Sequence, residues 1–315
     1  MFENKSIAVV VPAHNEEKLI QTTLSSIPDW VDRIFVVDDR SGDATVEKIK
    51  ESMKSDARVE LIEHEKNQGV GGAIATGYKA GLDNQIDVTV VMAGDAQMDP
   101  EDLPELVRPV AVEGVDYAKG NRLFHADWRV IPRARFFGNA VLSLLTKIAS
   151  GYWHIADSQC GYTAISLRAL RRMNLDAMYA RYGVPNDLLV NLNISNCTVR
   201  DVPVRPVYNI GEVSELKISR VVWTISRLLL SKFFERLFIK YIVKDFHPLV
   251  FFYTLGLIAF PSGFLTGLYL FFYRIAVGPV SVTSALFSIF LMITGLQFLL
   301  FAMWFDMENN KSLKG

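Results

Sequence analysis

Two stretches of this chain, Leu249 to Tyr273 and Ile275 to Phe305, contain no Asp, Glu, Lys or Arg, and that segregation limits the available folds more than any other feature. Each exceeds the roughly 20 apolar residues that cross a bilayer as a helix. Two buried helices of a large soluble core are the alternative, but soluble helices rarely run this long uncharged. Two transmembrane helices are therefore expected, joined through the turn-like Arg274 to Pro279 into a hairpin. The mean hydropathy of +0.20 agrees with a partly membrane-embedded chain. Arg220, Arg227, Lys232, Arg236, Lys240 and Lys244 precede the first stretch, and Lys311 and Lys314 follow the second. Positive-inside bias then predicts a multi-pass protein of the cell membrane with both flanks in the cytoplasm.

The residues before the hairpin follow another rhythm. Ile7–Val11, Arg33–Asp38, Val59–His64 and Val88–Ala93 are short apolar or β-branched runs, each followed by a polar or glycine turn and a helix-compatible stretch. That alternation predicts an α/β domain with a mostly parallel, Rossmann-like sheet, whose ligands gather at the carboxyl ends of the strands. The expected organisation is a catalytic domain over 1–217, an amphipathic membrane-interface region over 218–247, two spans within 248–305 and a tail over 306–315. In the interface region Val221, Val222, Ile225, Leu228, Leu229, Phe233, Leu237 and Ile242 recur at helical spacing with basic residues between them, which suits either a bilayer surface or packing on the catalytic domain. The amino-terminal apolar run is too short for a signal peptide, so the catalytic domain is expected in the cytoplasm. Cys160 and Cys197 are expected as free thiols there. A net charge of -1 argues against a nucleic-acid binder.

The polar clusters at the strand ends carry the chemistry. Val90–Asp102, VVMAGDAQMDPED, ends an apolar run in Asp95, Gln97 and Asp99. Carboxylate and amide oxygens there, with diphosphate oxygens and water, suit Mg²⁺ or Mn²⁺. A capping carboxylate is the alternative for Asp95, although Asp99, just before Pro100, fits that task better. Pro12, His14, Asn15 and Glu16 follow the first strand, with Asn15 placed to cap a helix. Asp38 and Asp39 close the second strand, where a carboxylate can accept from a ribose hydroxyl or a base N–H, or simply close a turn. The glycines of Asn67–Gly77, Gly71 among them, allow close backbone approach to a ligand. Their spacing fits a dinucleotide fingerprint poorly and they follow the third strand, which disfavours an oxidoreductase. The histidines show no zinc-ligand spacing, and no GxSxG nucleophile motif occurs. Lys119, Arg122, Arg133, Arg135, Arg205 and Lys217 form a basic set suited to phosphate or to ordinary surface charge.

VPAHNEE, VVDDRSGDAT, NQGVGGAIATGY, GDAQMDPED, KGNR, RFFGN, DSQCGY and GEVSELK occur in that order. From about Ile7 to Lys217 the ordered set resembles the family 2 glycosyltransferases of the GT-A fold, in particular the dolichol-phosphate and polyprenol-phosphate sugar synthases. The resemblance implies nucleotide contacts at Pro12, His14, Glu16 and Asp38, with Asp39 and Gly71 beside them, and metal ligation by Asp95 and Gln97. It implies phosphate contacts at Arg122, Arg135 and Lys217. Arg133 and Asn139 join them as lipid-phosphate or sugar candidates, and Asp157 and Gln159 lie near the expected sugar pocket. Asp187, in YGVPNDLL, takes the place of an acidic residue that orients groups or acts as a base. One departure is Ala93, where relatives commonly carry an additional acidic residue.

The implied reaction is inverting transfer of a sugar from a nucleotide-sugar donor to dolichyl or polyprenyl phosphate at the bilayer. UDP-N-acetylglucosamine is the first choice of donor, with GDP-mannose or UDP-glucose as alternatives. A processive polymerase is disfavoured because QxxRW is absent. A non-catalytic scaffold has only Ala93 in its favour.

Overall fold

The run IAVVVPA forms β1 (Ile7–Ala13), buried at every position, as expected for a β-branched central strand covered on both faces. β2 (Arg33–Asp38), β3 (Val59–Glu63) and β4 (Val88–Val91) confirm the strands read from the sequence. A computed structural model describes residues 1–123, 133–207 and 218–315, with side chains at all of these except 133–137 and 218–221. These residues form two compact units, Met1–Phe233 with Ser312–Gly315, and Phe234–Lys311.

In the first unit the sheet continues through β5 (Tyr117–Asn121), β6 (Thr163–Ser166) and β7 (Val199–Pro203), three strands the sequence reading did not name. The strand order is β3-β2-β1-β4-β6-β5-β7. β1 is parallel to β2 and β4, β2 to β3 and β5 to β7, while β6 runs antiparallel to β4 and β5. The helices are α1 (Ile20–Ser26), α2 (Thr45–Ser55), α3 (Val70–Asp83), α4 (Leu103–Ala111), α5 (Arg133–Ser150), α6 (Leu167–Arg172), α7 (Val184–Ile194) and α8 (Ile218–Phe238). Strand alternation divides the core between the faces. Ile7, Val9 and Val11 join Leu24, Ile49 and Leu106, whereas Ala8 and Val10 join Phe35, Val37 and Ala73. The connection through β2 and β3 leaves β1 on one side and the connection to β4 returns on the other. A crevice therefore opens at the carboxyl ends of β1 and β4.

Helix α8 departs from the expected single apolar face. Ile225, Leu229, Phe233 and Leu237 are buried, and a second apolar row, Trp223, Leu230, Phe234 and Phe238, is exposed. A π-helical segment, Ile239–Lys244, follows.

The second unit contains α9 (Leu249–Ala276) and α10 (Val282–Asn309), each long and apolar enough to cross a membrane. The turn lies at 277–281, later than expected, because α9 carries Arg274 within its last turn. The helices meet along a seam of small residues that brings their backbones close. A Cβ at Gly295 would stand 2.3 Å from the Phe260 amide nitrogen. Ser288 donates its hydroxyl to the Gly263 carbonyl at 2.8 Å. Arg236, fully buried, reaches both carboxylate oxygens of Asp306 at 2.8 and 2.9 Å, and the Tyr241 hydroxyl donates to the same carboxylate at 2.6 Å.

Candidate active site

The crevice holds a cavity of about 560 Å³. Pro12 to His14 and Glu16 enter from the end of β1, Asp39 from just after β2, Asn67, Gly69 and Val70 from the glycine turn, and Gly94 and Asp95 from the segment after β4. The first two polar clusters are bonded to each other. Asn15 adopts a left-handed φ of 57° and accepts the Gly42 amide at 2.8 Å, so it ties two turns together and does not cap a helix. The Glu16 amide donates to Thr45 Oγ1 at 2.8 Å. Asp39 accepts the amides of Gln68 and Gly69, each at 2.7 Å, and lies 2.8 Å from His64 Nδ1. Burial pushes this carboxyl up, but the two amides and His64 outweigh burial and hold it below the usual carboxylate range. The glycine turn is thereby strapped to β2.

A second cavity, about 220 Å³, shares Pro12, Val70, Ala93, Asp95 and Tyr182 with the first. Gln97, Arg122, Gln159 and Arg205 supply most of its other polar lining. Asp95 therefore stands where the two spaces meet. Its Oδ1 accepts the Gln97 amide at 3.1 Å across the left-handed Ala96. Asp99 accepts the Glu101 amide and caps the next turn, as expected. Burial, then the charges of Asp95 and Asp43, push the Glu16 carboxyl up to about 7. Negative charge is thus concentrated beside two hard oxygen donors, an arrangement that fits a divalent cation completed by phosphate oxygens and water. Among the described residues there is no cluster of three or more His, Cys, Asp or Glu ready to hold a metal alone.

The structure moves several of the expected site residues. Pro12, His14, Glu16, Asp39, Asp95, Gln97, Arg122 and Gln159 line one or both cavities. Asp38 does not, since it is buried and accepts the amide and hydroxyl of Ser41 to close its own turn. Gly71 faces protein, because a Cβ there would stand 2.1 Å from the Tyr179 carbonyl oxygen, and its amide donates to the Ala180 carbonyl at 2.8 Å. Asp157 is wholly buried and grips Arg122, so it supports the cavity without lining it. Asp187 is also wholly buried, outside both cavities, which removes it from the position of a base. Asn139 is half-buried on α5 and lines neither cavity. The side chains of Arg133 and Arg135, and all of Lys217, lie outside the described residues.

With this geometry in place, residues 8–173 match the family described as glycosyl transferase family 2. The chain belongs to glycosyl transferase family 2. It is a glycosyltransferase of the GT-A fold, as the ordered motifs implied. A UDP-N-acetylglucosamine–dolichyl-phosphate N-acetylglucosaminyltransferase of Methanococcus voltae is 29% identical over 219 residues, covering 65% of this chain and 87% of the relative. An undecaprenyl-phosphate mannosyltransferase of Micrococcus luteus is 30% identical over 217 residues, covering 68% and 87%. Among solved structures, glucosyl-3-phosphoglycerate synthase from Mycobacterium tuberculosis in complex with UDP superposes with a TM-score of 0.55 at 21% identity, over 74% of this chain and 80% of that one. At that identity the likeness concerns the fold.

Sequence reasoning missed one wall of this family 2 enzyme's larger cavity. Tyr179, Arg181, Tyr182 and Gly183 form it with Thr224 and Ile225 of α8. The aromatic pair in YARYG was the available signal. Arg205 was read only as one of a basic set. It lines the second cavity, with its guanidinium 3.6 Å from Asp99 and its amide donating to Asp102 at 2.6 Å. The glycosyltransferase thus joins a large polar-rimmed space to a smaller one with cationic and amide groups, and a single carboxylate, Asp95, serves both.

Proposed function

We propose that this glycosyltransferase moves a sugar from a nucleotide-sugar donor to a polyprenyl or dolichyl phosphate, with UDP-N-acetylglucosamine as donor. The observation that carries the reading is Asp95 at the junction of the two cavities. The larger is of a size suited to a nucleotide, and the smaller combines Arg122 with Gln159, suited to an anionic acceptor and a sugar. The acceptors named for the Methanococcus and Micrococcus relatives are both polyprenol-type phosphates, and the former names the proposed sugar. The long apolar helices α9 and α10 suit a lipid substrate's membrane, and the exposed row Trp223, Leu230, Phe234 and Phe238 suits its interface. The basic flanks support a cytoplasmic catalytic domain.

In this reading a phosphate oxygen of the acceptor attacks the anomeric carbon. The bond from that carbon to the donor diphosphate breaks, and its electron pair leaves with the nucleoside diphosphate. A single displacement inverts the anomeric centre. A phosphate monoester has a second pKa of about 6, so the nucleophile arrives mostly ionised and needs no general base. The burial of Asp187 agrees with that economy. Arg122 offsets repulsion between the two anions as they are brought together. Asp95 and Gln97 would hold a Mg²⁺ or Mn²⁺ ion, which supplies charge neutralisation of the leaving diphosphate.

Purified protein in detergent, with Mg²⁺ or Mn²⁺ and polyprenyl phosphate, is to be offered radiolabelled UDP-GlcNAc, UDP-Glc and GDP-Man. A chloroform-extractable product from UDP-GlcNAc is expected. A product from GDP-Man alone would transfer the donor assignment to mannose, and no lipid product from any donor would overturn the acceptor.

A further inference from the structure

The wall that the sequence did not reveal is held from behind by an ion pair. Asp187, on the first turn of α7, has no solvent exposure. Its Oδ2 accepts the Tyr179 amide at 2.8 Å and Asn191 Nδ2 at 3.1 Å. Its Oδ1 lies 3.0 Å from Nζ of Lys232 on α8, whose side chain is 14% exposed. Tyr179 begins the segment that lines the larger cavity, and Lys232 lies two turns beyond Thr224 and Ile225, which line the same cavity. One carboxylate therefore touches both elements of that wall.

The segment is clamped on its other side by the glycine turn. The amides of Gly71 and Gly72 donate to the Ala180 carbonyl at 2.8 and 3.1 Å. At Gly183 a Cβ would stand 2.7 Å from Leu228 of α8, so that helix packs directly on the segment's end. Tyr179–Gly183 is sandwiched between the turn strapped by Asp39 and the helix anchored by Lys232. A salt bridge this well buried orders its surroundings even where its net stabilisation is small, because leaving either charge unpaired is costly.

We propose that Asp187 and Lys232 are a positioning pair for donor binding: they pin Tyr179–Gly183 between α8 and the glycine turn and so make nucleotide affinity depend on the seating of α8. Neither residue touches the reacting atoms in this arrangement. The inference rests on the larger cavity being the nucleotide site.

The test uses the full-length protein in nanodiscs, with Lys232→Met to remove the pair and Lys232→Arg to retain its charge. Two quantities are read: steady-state constants for donor and acceptor, and hydrogen exchange of the Tyr179–Gly183 amides. Lys232→Met is expected to raise donor KM and the Kd of free UDP on the order of tenfold, leaving acceptor KM and kcat at saturating donor within about twofold. Exchange across Tyr179–Gly183 should accelerate in the same variant, and Lys232→Arg should restore both readouts. Unchanged donor KM in a folded Lys232→Met protein overturns the proposal, as does a fall in kcat with donor KM constant. If the wild-type protein binds no nucleotide, the functional reading fails, and unaltered exchange in Lys232→Met would separately dismiss the pair. Where Lys232→Met does not fold, Lys232→Gln is measured against the same two criteria.

Discussion

Asp157 holds the guanidinium of Arg122 through Nε at 2.7 Å and Nη2 at 3.1 Å, from a position without solvent exposure. The sugar-site expectation for Asp157 thus becomes a supporting one, since its carboxylate presents the cation that lines the second cavity. Burial pushes its carboxyl up, and the charge and hydrogen bonds of Arg122 outweigh that and hold it low. Asp157→Asn should cost about 3 kcal/mol of stability, the order seen when one partner of a buried pair is removed. The pair's contribution is present above the ordinary carboxyl range of the unfolded chain and lost as pH falls through the depressed folded value. Melting curves at several pH values check this: the difference between wild type and Asp157→Asn should shrink on acidification.

Glu16 titrates in the opposite sense. Its carboxyl is raised from 4.5 to about 7, so the folded protein binds the proton more tightly than the unfolded chain, and stability falls as pH rises across that interval. Glu16→Gln should flatten that part of the melting profile. Asp95→Asn removes one of the charges that raise this carboxyl and should move the Glu16 titration, followed by carboxyl NMR, toward acid. Asp95→Ala should leave the protein folded and abolish transfer; near-normal turnover would dismiss the metal role.

At Gly71 a methyl group would meet the Tyr179 carbonyl oxygen at 2.1 Å. Gly71→Ala should therefore destabilise by about 2 kcal/mol, within the range for overpacking. It should also weaken nucleotide binding by displacing the wall. Thermal melting with and without UDP separates these effects, because a pure stability loss leaves the UDP-induced shift intact.

The Arg236–Asp306 pair in the second unit offers a test independent of catalysis. Asp306→Ala strands a buried guanidinium and should cost about 3 to 5 kcal/mol, whereas Arg236→Met with Asp306→Leu should recover most of that loss. Melting temperatures in one detergent decide the matter. Equal losses in the single and double variants would show that packing, not charge pairing, sets the stability of this region.

The parallel half of the sheet and the two apolar helices were legible because long β-branched or uncharged runs impose their own structure. β5 was not, since YAKGN buries Lys119 and Asn121 within a five-residue strand and shows no apolar alternation. Lys119 is accommodated by donating to the Cys160 carbonyl, a partner 41 residues away. Asp38 and Asp39 were indistinguishable as neighbours in sequence. The first turns back to Ser41 and the second reaches the glycine turn, a division that only tertiary contacts decide. Asp187 was recognisable as important, but its partner on α8 lies 45 residues later, beyond any local pattern.

The strap from Asp39 has a consequence for how this cavity can diversify. Its carboxylate engages the main-chain amides of Gln68 and Gly69, so the shape of the turn is indifferent to which side chain position 68 carries. The turn is a fixed frame with an interchangeable tile: residue 68 can be varied while the ground that Gly69 and Val70 lend to the cavity stays level.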